Sequence, residues 1–137
     1  MAREAVAEKI PPQARHLLEE TNFATVATLM EDGSPHVSTV WIDLDGDDLL
    51  VNTAEGLTKT ANVRRDPRVA ISVFDQQGDP YEWVVIHGTV VDITPEGADE
   101  HIDRLAKKYL DLDEYPWRDT DEQRVILRIR PLRLSRG

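Results

Sequence analysis

Phe23-Ala24-Thr25-Val26-Ala27-Thr28-Leu29-Met30-Glu31-Asp32-Gly33-Ser34-Pro35-His36-Val37-Ser38-Thr39-Val40 reads as two extended runs folded back on each other. Apolar and β-branched residues fill 23–30. The Asp32-Gly33 step then supplies the strongest short hairpin signal, because glycine takes the positive φ that tight hairpin turns need. The second run extends from Pro35 to Leu44, with Val40, Ile42 and Leu44 alternating against Thr39, Trp41 and Asp43. Asp45-Gly46-Asp47 next turns the chain into a third run, Asp48 to Thr53. A three-stranded antiparallel meander is the expectation for this part of the chain.

The flanks extend the same pattern. Before the hairpin, Ile10-Pro11-Pro12 stiffens the chain, and Ala14, Leu17 and Leu18 share one face of a short helix that ends at Thr21-Asn22. After it, Thr58 to Asp66 is expected to be helical, since Pro67 disfavours helical geometry at the residue before it. Arg68 to Asp75 and Tyr81 to Ile93 read as further strands, with Gly88 where a barrel strand would bend or bulge. Thr94-Pro95-Glu96 suits a helix start, and Ala98, Ile102, Leu105, Ala106 and Tyr109 give that helix an apolar face as far as Leu110. A polar loop holding Tyr115-Pro116-Trp117 leads to a last strand, Val125 to Arg130, before Pro131.

Six strands with short flanking helices suit a mainly β, six-stranded antiparallel barrel that closes its own edges; a parallel sheet would need a helix after nearly every strand. The 137 residues are expected to form one domain, 1–137, and no repeat or linker divides them. A domain of this size buries roughly two-thirds of its unfolded surface. A large ligand would therefore lie on its face or between two copies, so a dimer is expected.

Composition narrows the function. Sixteen basic against 26 acidic residues give a net charge of −10, which disfavours binding to a nucleic-acid backbone. The absence of cysteine excludes disulfides, thiolate metal sites and a cysteine nucleophile. Met1 to Glu8 lack an apolar signal core, and no stretch approaches the ~20 apolar residues of a membrane span, so a cytoplasmic location is expected. His16, His36, His87 and His101 show no metal-ligand spacing.

One constellation points to ligand chemistry. Thr53, Thr58, Lys59, Asn62 and Arg65 gather around the end of a strand and the helix after it. Lys59 falls in the first helical turn, where free amide N–H groups and the helix dipole already favour an anion. Spacing of three puts Lys59, Asn62 and Arg65 along one helical side. Taken alone, such spacing is more commonly a solvated basic helix face.

The stretch Thr58-Lys59-Thr60-Ala61-Asn62-Val63-Arg64-Arg65-Asp66-Pro67-Arg68-Val69, placed between the hairpin region and an apolar strand, resembles the pyridoxamine-phosphate-oxidase-like split-barrel family, and especially its flavin and deazaflavin-dependent oxidoreductase branch. The likeness spans most of the chain: Phe23 to Ser38 is similar to the family's opening hairpin, Ile86-His87-Gly88-Thr89-Val90 to its bent strand, and Val125 to Pro131 to its closing strand. The resemblance implies a homodimer with the cofactor between subunits. It implicates Ser38, Thr39, Val40 and Trp41 on the second strand, Asn52 and Thr53 on the third, and Thr58 and Lys59 at the helix, where the spacing adds Asn62 as a cofactor-binding candidate. Backbone groups of 39–41 would meet the ring edge, while Lys59 and the threonines would meet the phosphate.

Better-known oxidase members share an arginine on the second strand and a serine-arginine pair before the lysine, where this chain has Ser38 and Leu57-Thr58. That makes it look more like the branch using coenzyme F420, whose oligoglutamate tail would suit Arg64, Arg65, Arg68, Arg128 or Arg130. The implied activity is hydride transfer from reduced F420 to an unsaturated organic acceptor. Alternatives are an FMN-dependent oxidoreductase or a non-catalytic carrier of a cofactor, haem or bilin. Trp83 and Trp117 are candidates to cover a planar ring or to pack in the core. His36 and His87 are candidates for the mouth of the site, and Tyr81 for a proton donor.

Overall fold

A computed structural model describes residues 9–137; the reading of Met1 to Glu8 lies outside the described residues. The opening hairpin forms as its alternation requires. β1 (Ala24–Leu29) and β2 (Pro35–Val40) pair antiparallel, with Thr25 opposite Thr39 and Leu29 opposite Pro35, and Gly33 takes φ 87° in the turn.

The expected strand from Pro35 to Leu44 is broken at Trp41-Ile42. β3 (Asp43–Asp45) is a separate strand that pairs with β4 (Asp48–Ala54). Ile42 is fully buried, and side chains replace its ladder bonds: its N–H donates to the Tyr109 hydroxyl at 3.1 Å and its carbonyl accepts from Lys108 Nζ at 2.8 Å. With both backbone groups satisfied by a helix, the chain can leave one ladder and enter another.

The sheet consequently has seven strands rather than six, in the order β2-β1-β5-β6-β7-β4-β3, and every pairing is antiparallel. The expected meander forms in two pieces, since the second run pairs with the first at 35–40 and with the third at 43–45, and the break between them puts β2 and β4 towards opposite ends of the sheet. Trp41-Ile42 bridges the end strands covalently where no ladder joins them, which makes the barrel a split one.

α2 (Thr58–Arg65) stops before Pro67 as expected and is followed by β5 (Arg68–Phe74) and β6 (Trp83–Thr94). α3 (Ala98–Leu110) starts later than Thr94-Pro95 suggests. Thr94 instead ends β6 and its Oγ1 accepts the Glu96 N–H at 3.1 Å, while Gly97 at φ 73° leads into the helix. β7 (Arg124–Arg136) runs through Pro131, where a strand end was expected. Pro131 sits opposite Gly88 at a register shift, where a missing N–H is tolerated. Gly88 is required by close approach, since a Cβ there would lie 2.7 Å from the Arg130 carbonyl oxygen.

The core fills the inside of the sheet, and α1 (Pro12–Glu19) closes one end with Ala14, Leu17 and Leu18. Each leucine or valine buried there contributes about 1.5–3 kcal/mol. β4 is enclosed on both faces: Leu49 and Val51 join the core, while Asn52 bonds to α3. That double enclosure places polar β4 side chains beneath a helix, where the cleft begins.

Candidate functional site

A cleft of about 390 Å³ opens between the end of β2, the middle of β4, the start of α2, α3 and the 111–123 loop. Thr39, Val40, Trp41, Asn52, Thr53 and Lys59 line it, together with Phe23, Leu57, Ile102, Leu105, Tyr115, Trp117, Glu122 and Arg124. Two cations stand in this space within an acidic protein.

Lys59 is half-buried, and among the described residues no carboxylate pairs with it. Burial, and then the positive charge of Arg124, hold its ammonium below the ordinary lysine range. Leu57, the cap residue of α2, offers no side-chain cap, and the helix has no acidic residue in its first turn, so the free amides of this end meet no acceptor from either. An anion would satisfy the amides and the lysine together.

Arg124 projects from the first residue of β7. β4–β7 pairing sets it opposite Ala54, so it shares a face with Asn52. Its Nε donates to Asn52 Oδ1 at 2.8 Å, its Nη1 to Glu122 Oε1 at 2.8 Å, and its guanidinium lies 5.4 Å from the Tyr115 ring centroid. Asn52 in turn donates to the Ala98 carbonyl at 2.8 Å and contacts Nδ1 of the buried His101 at 3.1 Å. His101 Nε2 reaches Asp43 Oδ2 at 3.0 Å. Although burial pushes the Asp43 carboxyl up, bonds from His101 and the Leu44 amide, with the charge of Lys108, hold it below the usual carboxylate range.

Part of the lining is aromatic. Trp41 stacks on Tyr109 at 5.3 Å and 6°, and Tyr115 meets the edge of Trp41 at 6.0 Å and Trp117 at 5.6 Å. Tyr109 donates to the Asn22 carbonyl at 2.7 Å, and burial pushes its hydroxyl up to about 12, so it serves as a fixed neutral strut. A wall of this kind suits a flat ring.

The remaining sequence candidates lie elsewhere. Asn62 is buried and tied to β1, donating to Thr28 Oγ1 at 3.0 Å and accepting from Arg65 Nη2 at 2.8 Å. Thr58 is exposed at the first position of α2, outside the cleft lining. Thr53 does line the cleft, but its hydroxyl proton is committed: Thr60 Oγ1 donates to the Ala54 carbonyl at 2.7 Å, so the 3.1 Å contact between the two threonines needs Thr53 as donor. The Ser38 hydroxyl is buried without a protein partner, as is His36 Nδ1, and neither residue lines the cleft.

None of the arginines considered for an anionic tail lines the cleft. Arg64 pairs with Glu55, Arg68 with Asp66, and Arg128 with Asp45 and Asp48. Tyr81 is 82% exposed on the turn before β6, and Trp83 packs near Gly137 at the end of the sheet, both away from the cleft. His87 lines a different, apolar groove.

Arg124 and Tyr115, lining residues that the sequence did not single out for the site, come from the far end of the chain. Arg124 was legible only as one polar position in an alternating strand, and its place beside Lys59 depends on β7 lying against β4. Tyr115 had a signal, an aromatic residue in a polar loop, but no partner in sequence to show what it faces.

A family model described as pyridoxamine 5'-phosphate oxidase matches residues 10–135. Among solved structures, an F420 reductase is 30% identical with a TM-score of 0.82, the match covering 92% of this chain and 98% of that one. A conserved hypothetical protein from Mycobacterium tuberculosis, 23% identical, has a TM-score of 0.72 over 99% of this chain and 89% of that one. General stress protein 26 from Bacillus anthracis, 15% identical, shares the fold with a TM-score of 0.67 over 90% of each chain. With a split antiparallel barrel, an uncapped lysine-bearing helix beside it and a family match running from α1 to the end of β7, this chain belongs to the pyridoxamine 5'-phosphate oxidase family.

Proposed function

We propose that this chain is the single-domain subunit of a cytoplasmic homodimer that binds coenzyme F420 and passes hydride from its reduced form to an unsaturated or conjugated organic acceptor. The observation that carries this reading is Lys59, a half-buried ammonium with no carboxylate partner among the described residues, beside Arg124 and an uncapped helix start. The 30% identity to an F420 reductase over almost the whole of both chains favours the deazaflavin.

The donor set fits a phosphate-bearing ring cofactor. Lys59, Arg124 and the first-turn amides of α2 would hold the phosphate. β2 is an edge strand, so one row of its backbone groups has no strand partner and is free to meet the ring at 39–41. When bound, coenzyme F420 supplies the hydride, so no acid–base triad is required of the protein. Trp41, Tyr115 and Trp117 would orient flat molecules and exclude water.

The outer face of the sheet supports the dimer. Val37, 62% exposed, stands beside Ala27 on β1, and Leu29, Pro35 and Ala70 line an apolar groove on the same side. A second groove, between Thr25, Ser72 and Phe74, shares Phe23 and Thr39 with the cleft. A second copy seated on this face would therefore border the cofactor.

FMN is the second reading, supported by membership in a family described by an oxidase of pyridoxamine phosphate. Titration of the purified protein with both cofactors separates them. Tight F420 binding followed by acceptor-dependent oxidation of the reduced form is expected; tight FMN binding with no affinity for F420 would overturn the choice.

A further inference from the structure

Every polar atom of the Asn52 side chain is engaged, and the pattern admits one assignment. Nδ2 contacts the Ala98 carbonyl at 2.8 Å and His101 Nδ1 at 3.1 Å, and Oδ1 accepts from Arg124 Nε at 2.8 Å. Arginine only donates and a carbonyl only accepts, so the amide cannot be turned round. His101 Nδ1 must then be the acceptor, and the ring proton lies on Nε2, donated to Asp43 Oδ2 at 3.0 Å. His101 is 0% exposed on α3, Asn52 is buried on β4, and Arg124 reaches the cleft from β7.

Removing so many polar groups from water is unfavourable unless each is bonded, and an apolar side chain would fill the space of His101 without that requirement. The chain of bonds has one consequence at the surface: the Asn52 carbonyl is locked towards Arg124. Glu122 and the Tyr115 ring hold the other sides of the guanidinium.

We infer that His101 and Asp43 are positioning residues for the anion-binding end of the cleft: the neutral imidazole, protonated on Nε2, fixes the Asn52 amide, and the amide fixes the guanidinium of Arg124 beside Lys59. The inference rests on the reading of Lys59 and Arg124 as the pair that holds a phosphate. Neither His101 nor Asp43 lines the cleft, so both act through Asn52.

Long-range 15N correlation spectra of the full chain read the tautomer directly. An unprotonated Nδ1 with a protonated Nε2 is expected, and a proton on Nδ1 overturns the inference. Calorimetric binding of inorganic phosphate reads the consequence. His101→Phe and Arg124→Ala should each weaken phosphate by about tenfold, and the double variant should be no weaker than Arg124→Ala alone. His101→Gln, which keeps one acceptor and one donor, should bind within about twofold of the parent. Losses that add in the double variant, or a His101→Phe protein that binds phosphate like the parent, overturn it. Where His101→Phe does not fold, Asn52→Leu cuts the same link: a tenfold loss of about that size supports the inference and unchanged binding overturns it. Coupling seen with phosphate in a protein that fails to bind F420 supports this inference while overturning the cofactor assignment.

Discussion

Lys59 and Arg124 are neighbouring cations in one cleft, brought together from α2 and β7, with the Arg124 charge reinforcing the effect of burial on the lysine. Like charges side by side are unfavourable in the free protein and become favourable once an anion lies between them. The pair therefore trades some stability of the free protein for binding.

Lys59→Ala should weaken F420 by about 1.5–3 kcal/mol, the range for a charge-assisted hydrogen bond. Lys59→Met, which keeps the stem, should raise the stability of the free protein by about 0.5 kcal/mol, a small gain because the half-exposed charge is screened by solvent. Fluorescence titration and urea denaturation measure the two effects, which have opposite signs.

The pH dependence follows from the lowered lysine value. Below the folded-state pKa the ammonium is charged and attracts phosphate; as pH rises through that value, still below the unfolded 10.5, the charge and part of the affinity are lost. Stability of the free protein moves the other way, rising across the same window, because the unfolded chain there binds the proton more tightly. Phosphate affinity measured from neutral to alkaline pH should fall in the parent and stay flat over that window in Lys59→Met.

Trp117→Ala should leave folding almost unchanged, since the side chain is 63% exposed, yet weaken the ring-bearing cofactor by about 1 kcal/mol through the lost aromatic contact. Thermal melting and titration of the same sample separate the two.

Gly88→Ala should cost about 1–3 kcal/mol of stability. Its Cβ would meet the Arg130 carbonyl oxygen at 2.7 Å and Ile129 Cγ2 at 2.9 Å, and a backbone atom cannot rotate away. Chemical denaturation checks this, with phosphate affinity of the folded fraction expected to be unaffected.

Val37→Glu should weaken dimerisation by about 3 kcal/mol, by placing an unpaired carboxylate from each copy within the apolar sheet face. Sedimentation equilibrium should show the proposed dimer for the parent and monomer for Val37→Glu.

Strands β1, β2 and β4 to β7, all three helices and the bend at Gly88 were legible in the chain because each is written in local periodicity, turn residues and proline positions. Lys59 at a helix start was legible for the same reason, since a first-turn position is a matter of a few consecutive residues. The break at Trp41-Ile42 was not, because it depends on Tyr109 and Lys108, more than 60 positions away, taking over the backbone bonds of Ile42. Nor was the roster of the cleft: alternation along β7 shows that Arg124 is polar, but only its pairing against Ala54 puts it on the face of Asn52 and within reach of Lys59. Asn62 illustrates the converse, a helical spacing that suggested a ligand and a tertiary bond to Thr28 that engages the amide inside the protein. Local geometry is set by neighbouring residues, whereas a binding site is a meeting of side chains whose company depends on which strands become neighbours.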